Sequence, residues 1–398
     1  MKVADASSRQ PAGGARLLAA VGHRPTFDRH VALYGELPAG CDLIALIERA
    51  GLRGRGGAGF PTATKLAAVA RRRGAVVVVN AVEGEPASKK DRSLLRVAPH
   101  LVLDGAALAA EAVGATQVII ATSTYGPELT AAIGERTSKR YDSVTFDVEP
   151  VEGGFVAGEE TAVLSALSGR RANPTLKPPF PAEQGLGGAP TLVQNVETLG
   201  HIALIARFGS DWFGRGTALV TLSGSVAQPG VHEIPVGATL AEVITQSGGT
   251  TAEVAAYLVG GYFGRWIPAA AATQTQLMPD ILGAGVIVAL PSSTCAAAEC
   301  ARVVQYLAHQ SAGQCGPCLH GLAAISDAMH VEQRGDSRPE LKRLGRLVSG
   351  RGACRHPDGV VRFVDSALAV FAEEFARHAN HRGCGKRLQG ILQVGATR

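Results

Sequence analysis

The sequence has few aromatics and no long apolar run, and each absence narrows what the protein can be. Phe, Trp and Tyr make up 5% of the 398 residues, so close packing must come from aliphatic side chains and backbone. The longest apolar runs, Ala75–Val79 and Val286–Leu290, are strand-sized, well short of the roughly 20 residues of a membrane-spanning helix. The N-terminus lacks a charged segment followed by an apolar stretch and a small-residue cleavage site, the pattern of a secretory leader. The expected location is the cytoplasm, with membrane contact only through partners, at the inner face of the cell membrane.

Strong charge of one sign is also missing. Lys and Arg number 39 against 34 Asp and Glu, a formal net charge of +5. Over this length that gives no electrostatic footprint for nucleic acid. The basic runs are short: Arg71–Arg73 reads as a solvated helix end, and Lys89, Lys90 and Arg92 form a second small group. A secreted disulfide framework is disfavoured by an odd set of seven cysteines, six of them after residue 290. In a reducing compartment such clustering reads as metal ligation.

What is present is a globular composition, 46% hydrophobic and 18% charged, with 49 glycines for tight turns. Residues 1–40 are loosely patterned and read as an N-terminal arm. Leu43–Ala50 reads as a helix stopped by Gly51. Up to about residue 210 helical and strand signals alternate: Ala75–Val79, Gln117–Ala121, Ser143–Val148 and Gly154–Val156 read as extended. This predicts an α/β layered sheet. From about 215 the pattern is a compact ββαβ string: strands at Ala218–Leu222, Val231–Ile234 and Ala256–Val259, and a helix over 240–246 capped by Thr239. From about 293 it is helical, and Val364, Leu368, Phe371 and Phe375 share one apolar face.

Five segments carry chemistry. Residues 51–62, GLRGRGGAGFPT, contain a GxGxxG spacing, but after a helix rather than a strand, which argues against the usual dinucleotide fold there. The loop still offers exposed backbone for phosphate, followed by a helix starting near Thr62, with Arg53, Arg55 and Lys65 close by. Residues 80–86, NAVEGEP, follow a strand, where α/β sheets bind ligands. Residues 153–162, GGFVAGEETA, run through a glycine turn into a helix, whose dipole alone accounts for Glu159 and Glu160. LKPPFP at 176–181 could stiffen Phe180 into a wall for a flat ring, or be an ordinary surface loop; NVET follows at 195–198. Cys315-Gly316-Pro317-Cys318, with Cys354 downstream, sets two thiolates within reach of one centre; zinc and a redox dithiol are the other readings of such a pair.

In this order the segments resemble the flavin- and NADH-binding subunit of respiratory complex I and of related NAD-linked hydrogenases and formate dehydrogenases. The resemblance runs from about Gly51 to about Phe375. It implies an FMN/NADH-binding Rossmann-like domain over 41–214, a ubiquitin-like, soluble-ligand-binding β-grasp domain over 215–292, and a helical iron–sulfur domain over 293–398. It implies an NADH dehydrogenase that passes electrons from NADH through FMN to an iron–sulfur cluster, 4Fe–4S in the family. The acceptor would be a partner such as a ferredoxin-like or thioredoxin-like iron–sulfur protein. Gly54, Gly56, Gly57 and Lys65 match the family's flavin loop, and Asn80, Glu83, Asn195 and Thr198 its flavin-contacting groups. Phe60, Glu85, Glu160, Lys177 and Phe180 match the nicotinamide side, with Glu85 and Glu160 as the catalytic carboxylates. Phe155, Gly158 and Glu159 complete the cofactor-binding set, and Cys315, Cys318 and Cys354 match cluster ligands.

The departures are specific. Ala312 stands where the family's first cluster cysteine belongs. The site could hold a three-iron cluster, recruit His320, Cys295 or Cys300, take an outside ligand, or be empty. Val82 replaces an Asp, Phe155 replaces a tyrosine, and the stretch after Lys65 is shorter. These departures leave room for two alternatives: a ferredoxin or membrane redox partner as donor in place of NADH, and a degenerate, non-catalytic scaffold.

Overall fold

The computed structural model describes residues 16–38, 40–123, 126–330, 336–380 and 383–395. Residues 1–15 of the expected N-terminal arm lie outside them; within 16–40 a helix forms at Phe27–Tyr34.

The first sheet is parallel. Its strands are β1 (Val76–Ala81), β2 (Gln117–Thr122), β3 (Thr145–Pro150) and β4 (Thr191–Asn195), in spatial order β3-β2-β1-β4. β1 lies between two neighbours, and its Val77, Val78 and Val79 are fully buried; that is why it reads as a continuous β-branched run rather than an alternating one. The Pro99–Val113 and Val196–Phe208 helices pack on one face with Leu101, Ala106, Leu199 and Ile202 at the contact. Val163 and Leu164 of the Glu160–Leu167 helix help cover the other face. The chain reverses its order of strand addition between β1 and β4, and such sheets bind ligands at this switch point, beyond the carboxyl ends of the strands.

The second sheet comprises β5 (Thr217–Gly224), β6 (Gly230–Pro235), β7 (Val254–Val259), β8 (Arg265–Pro268) and β9 (Val286–Pro291), in order β6-β5-β9-β7-β8. First and last strands, β5 and β9, are parallel neighbours, and the other pairings are antiparallel, an arrangement that matches the β-grasp expectation. The Leu240–Gln246 helix has the predicted Thr239 cap, closed into a capping box with Glu242. The helices that follow include Ala296–His309, Ala323–Met329, Arg338–Val348, His356–Val370 and Ala372–Ala379. They share a core with one face of the second sheet through Leu258, Trp266 and Leu290. Val364, Leu368, Phe371 and Phe375 are all buried, but the helix breaks at Phe371, so two helices carry the stripe.

Among the described residues no single helix is long and apolar enough to cross a membrane. The bent pair Lys90–Val97 and Pro99–Val113 passes on length and composition only jointly, and its second member is packed in the core.

Candidate functional site

The expected residues gather over the switch point. β1 and β4 end side by side, with Asn80 in register with Asn195. The glycine loop lies over that end. Gly51 ends the Leu43–Ala50 helix in the left-handed region, φ 62°, and the Gly54 amide donates to the Phe60 carbonyl, closing the loop. A Cβ on Gly56 would stand 3.3 Å from Asn195 Cβ, so the loop backbone sits directly on the strand end. The Arg55 amide donates to Thr198 Oγ1 at 2.9 Å, and Thr198 is fully buried. Asn195 Oδ1 caps the Val196–Phe208 helix through the Glu197 amide, and its Nδ2 donates to Asp91.

The loop offers what a phosphate-bearing cofactor requires. Gly56 and Gly57 are exposed, and among the described residues their amides donate to no protein acceptor. The Thr62–Ala70 helix starts shortly afterwards with no side-chain cap; the Thr62 amide donates to the Leu52 carbonyl, and among the described residues those of Ala63 and Thr64 are left free. Such amides and the helix dipole favour an anion. FMN, with its terminal phosphate, fits this cradle.

The two acidic loops lock together backbone to backbone. A Cβ on Gly84 would fall 2.4 Å from the Phe155 carbonyl oxygen, and one on Gly158 would fall 2.6 Å from that of Val82. Asn80 Nδ2 donates to the Gly158 carbonyl at 2.8 Å. Glu159 caps the Glu160–Leu167 helix. At the rim, Lys65 Nζ meets Glu160 at 2.6 Å, and Lys177 Nζ bridges Glu160 at 2.7 Å and Glu159 at 3.0 Å. Burial pushes the Glu160 carboxyl upward, but Lys65 and Lys177 more than offset it and hold it at about 2. Phe60 and Phe180 are 53% exposed, unusual for large rings and suited to stacking on a flat ligand.

Three expected residues face inward. Glu85 is enclosed: Oε2 accepts from the Tyr262 amide at 2.8 Å and Oε1 from that of Ala87. Burial pushes its carboxyl up to about 7. Glu83 accepts from Ser88 Oγ, the Asp91 amide and Arg92 Nε. Phe155 packs edge-on against Phe263 and near His356, while its amide donates to Gln310 Oε1. The extended piece expected at Gly154–Val156 is instead a tight turn, Phe155–Gly158.

Beneath the loops lies a buried network that motif reading did not supply. Lys90 Nζ meets Asp91 at 2.7 Å and Glu197 at 2.9 Å. Arg55 stands 3.8 Å from Glu197 and donates to the Thr217 carbonyl. Burial raises the Glu197 carboxyl, yet Lys90, His201 and Arg55 bring it down to about 2. The sequence signal is slight: the short basic group Lys89, Lys90 and Arg92.

At the helical end, Cys315 precedes and Cys318 lies within the wide, π-helical turn Pro317–Leu322, and Cys354 precedes the His356–Val370 helix. Burial first, then the neighbouring Cys315 and Cys354 thiols, push the Cys318 thiol up to about 12. Burial and the nearby Glu159 carboxylate raise Cys354, so the thiol site and the acidic loop adjoin. The three thiols fit a cluster held by three protein ligands; Ala312 offers only a methyl. Cys295 groups instead with Glu374, His378 and Cys384, Cys300 is wholly buried beside Cys295 and Glu374, and His320 is exposed.

Three family models match the chain: the Nuo51 FMN-binding domain over residues 47–204, the SLBB domain over 219–261, and the NADH-ubiquinone oxidoreductase-F iron-sulfur binding region over 298–378. The second NADH-quinone oxidoreductase F-subunit of Rhizobium meliloti (strain 1021) is 32% identical over 380 residues, 86% of this chain and 90% of the relative. The F-subunit of Streptomyces coelicolor is 32% identical over 384 residues, 86% and 84%, and that of Escherichia coli (strain K12) 32% over 377, 84% and 83%. Among solved structures, an NAD+-reducing NiFe hydrogenase in the H2-reduced state aligns with a TM-score of 0.77 at 30% identity, covering 84% of this chain and 62% of the hydrogenase chain. The chain thus spans less than two thirds of that protein.

Proposed function

The chain belongs to the F-subunit family of NADH-quinone oxidoreductases, and from that premise we propose which of its residues carry the reaction. It is an NADH dehydrogenase-type oxidoreductase that passes electrons from NADH through FMN to iron–sulfur centres. Bound FMN supplies the exchange between a two-electron hydride donor and one-electron acceptors. The protein supplies position and field.

The amides of Gly56 and Gly57 and the uncapped helix start hold the flavin phosphate, with Gly54 closing the loop through the Phe60 carbonyl and Lys65 alongside. Asn80 and Asn195, paired at the two strand ends, orient the flavin, and Thr198 and Glu83 hold the loops that carry them. Phe60 and Phe180 wall the nicotinamide. Glu160, kept ionised by Lys65 and Lys177, accepts hydroxyl or amide protons of NADH, with Glu159 beside it. Glu85, Phe155 and Gly158 act as positioning residues: Glu85 ties the acidic loop to the Tyr262 turn, and Phe155 ties the Glu159–Glu160 loop to the helical end. Cys315, Cys318 and Cys354 would hold an iron–sulfur cluster through three thiolates, which would supply one-electron transfer, and Ala312 would add no fourth ligand.

The observation that carries this reading is the convergence, at the β1–β4 switch point, of free glycine amides, the Asn80–Asn195 pair and the Lys65–Glu160–Lys177 bridge. We draw the domain boundaries at 41–214, 215–292 and 293–398, since these ranges hold the parallel sheet, the mixed sheet and the later helices respectively. Electrons leave to other iron–sulfur proteins of the assembly. We propose a ferredoxin-like or thioredoxin-like one, docked near the exposed Leu319 beside Cys318, and a cytoplasmic assembly that meets the membrane's inner face only through partners.

Anaerobic mixing of the flavin-loaded protein with NADH tests the reading. Bleaching of the flavin absorbance is expected, and its loss in Glu160→Gln at low NADH. Bleaching by reduced ferredoxin but not by millimolar NADH would move the donor role to ferredoxin. A colourless protein that takes up no added FMN would leave only a scaffold.

A further inference from the structure

Away from the flavin crevice and the three thiols, four side chains from the two ends of the helical domain meet. Cys295 follows β9 and caps the Ala296–His309 helix. Glu374 and His378 stand one turn apart on the Ala372–Ala379 helix. Cys384 lies in the segment beyond, between Gly383 at φ 56° and Gly385 at φ 72°. One ligand atom from each lies within 4.8 Å of all the others, the only such group of three or more His, Cys, Asp or Glu side chains among the described residues. Cys295 Sγ is 3.3 Å from His378 Nε2. Sulfur at about 2.3 Å and nitrogen at about 2.0 Å from a tetrahedral zinc would stand about 3.5 Å apart, so the pair is already close to ligating separation. The three thiols at Cys315, Cys318 and Cys354 are not gathered so tightly.

We propose that Cys295, Glu374, His378 and Cys384 bind one zinc ion as a closed structural site. Two sulfurs, an imidazole and a carboxylate in near contact suit tetrahedral zinc and leave no position for substrate. The surroundings are those of a metal site. The Ala298 amide donates to Cys295 Sγ at 3.4 Å, the hydrogen bond that stabilises a thiolate. The Ala297 amide and Lys386 Nζ each donate to a different oxygen of Glu374, fixing the carboxylate while leaving it lone pairs. Lys386 also offsets the excess negative charge of two thiolates and a carboxylate around a divalent ion. The ion would staple the C-terminal segment to the start of the Ala296–His309 helix, where the Cys295 amide already donates to the Arg387 carbonyl.

Zinc and iron are to be measured separately on full-length protein purified anaerobically and supplied with zinc. About one zinc per chain is expected, retained in Cys354→Ala, which should lose iron. Cys384→Ser and His378→Ala should lose the zinc while keeping iron and flavin. Cobalt in place of zinc should add thiolate-to-metal charge-transfer bands in the Cys354→Ala background and none when Cys384→Ser is added. Zinc at background level, zinc that persists in both variants, or a Cys295–Cys384 disulfide in the anaerobic protein overturns the proposal.

Discussion

The flavin crevice and the thiol-bearing helical end are built on opposite plans. The crevice is made largely of backbone. Glycine amides face outward, Gly84 and Gly158 let two loops touch main chain to main chain, and strand ends bring Asn80 beside Asn195. The helical end is made of side chains, with single sulfur atoms delivered from distant segments. The difference decides what each region tolerates. A backbone-built crevice absorbs Val82 or Phe155 in place of a polar group but not an added Cβ. A ligand set built from single atoms changes in kind when one residue, Ala312, lacks the atom.

The hardest test of the backbone plan is Gly84→Ala. Its Cβ would overlap the Phe155 carbonyl, backbone against backbone, so the loops must part. The expected result is a loss of about 3 kcal/mol or more of stability together with loss of bound flavin, read by urea unfolding and flavin stoichiometry. Val82→Ala, close by, should keep flavin.

The next effect is a pH dependence. Burial holds the Glu85 pKa at about 7 in the fold, above its unfolded value of 4.5. Between these pH values the native state binds a proton that the unfolded chain has released, so this group makes stability fall as pH rises from 4.5 to about 7 and adds no further slope above that. The expected loss is on the order of 3 kcal/mol. Glu85→Gln should flatten this part of the pH profile of the urea midpoint; an unchanged profile would place the proton elsewhere. Glu160 has the opposite sign, since its depressed pKa gives stability that is present above pH 4.5 and lost as pH falls towards 2.

A smaller effect is expected at the rim. Glu160→Gln removes a charged acceptor, worth about 1.5 kcal/mol or more for NADH, and should lower kcat/KM by roughly tenfold while flavin content holds. Equal loss of flavin would assign Glu160 to the flavin rather than to NADH. The least disruptive change is Ala312→Cys, which sharpens the side-chain plan. Fold and flavin should be unchanged, while iron retained after air exposure rises and the cluster's EPR spectrum shifts.

Local patterns were legible in the sequence. The Leu43–Ala50 helix with its Gly51 stop, the Thr239 cap, the core strands and the glycine loop are each encoded within a few residues. Contacts made across the chain were not. Glu85 looked like a ligand carboxylate because nothing near it in sequence reveals the Tyr262 amide. Lys90 stands in the sequence only as part of a short basic group, because Glu197, its buried partner, lies a whole sheet crossing away. Gly154–Val156 looked extended, but a Cβ on Gly154 would collide with Gln310, and that close approach to the helical end goes with a tight turn. β4 and β8 are too short to stand out in the sequence pattern, and β4 runs straight into the NVET segment.

Glu159 touches both regions. Its carboxylate pairs with Lys177 at the crevice rim and raises the Cys354 thiol at the helical end. A nucleotide that draws Lys177 away would leave that negative charge less compensated beside the thiols. One lysine shared between Glu159 and Glu160 therefore joins the rim of the crevice to the neighbouring thiol site through charge alone.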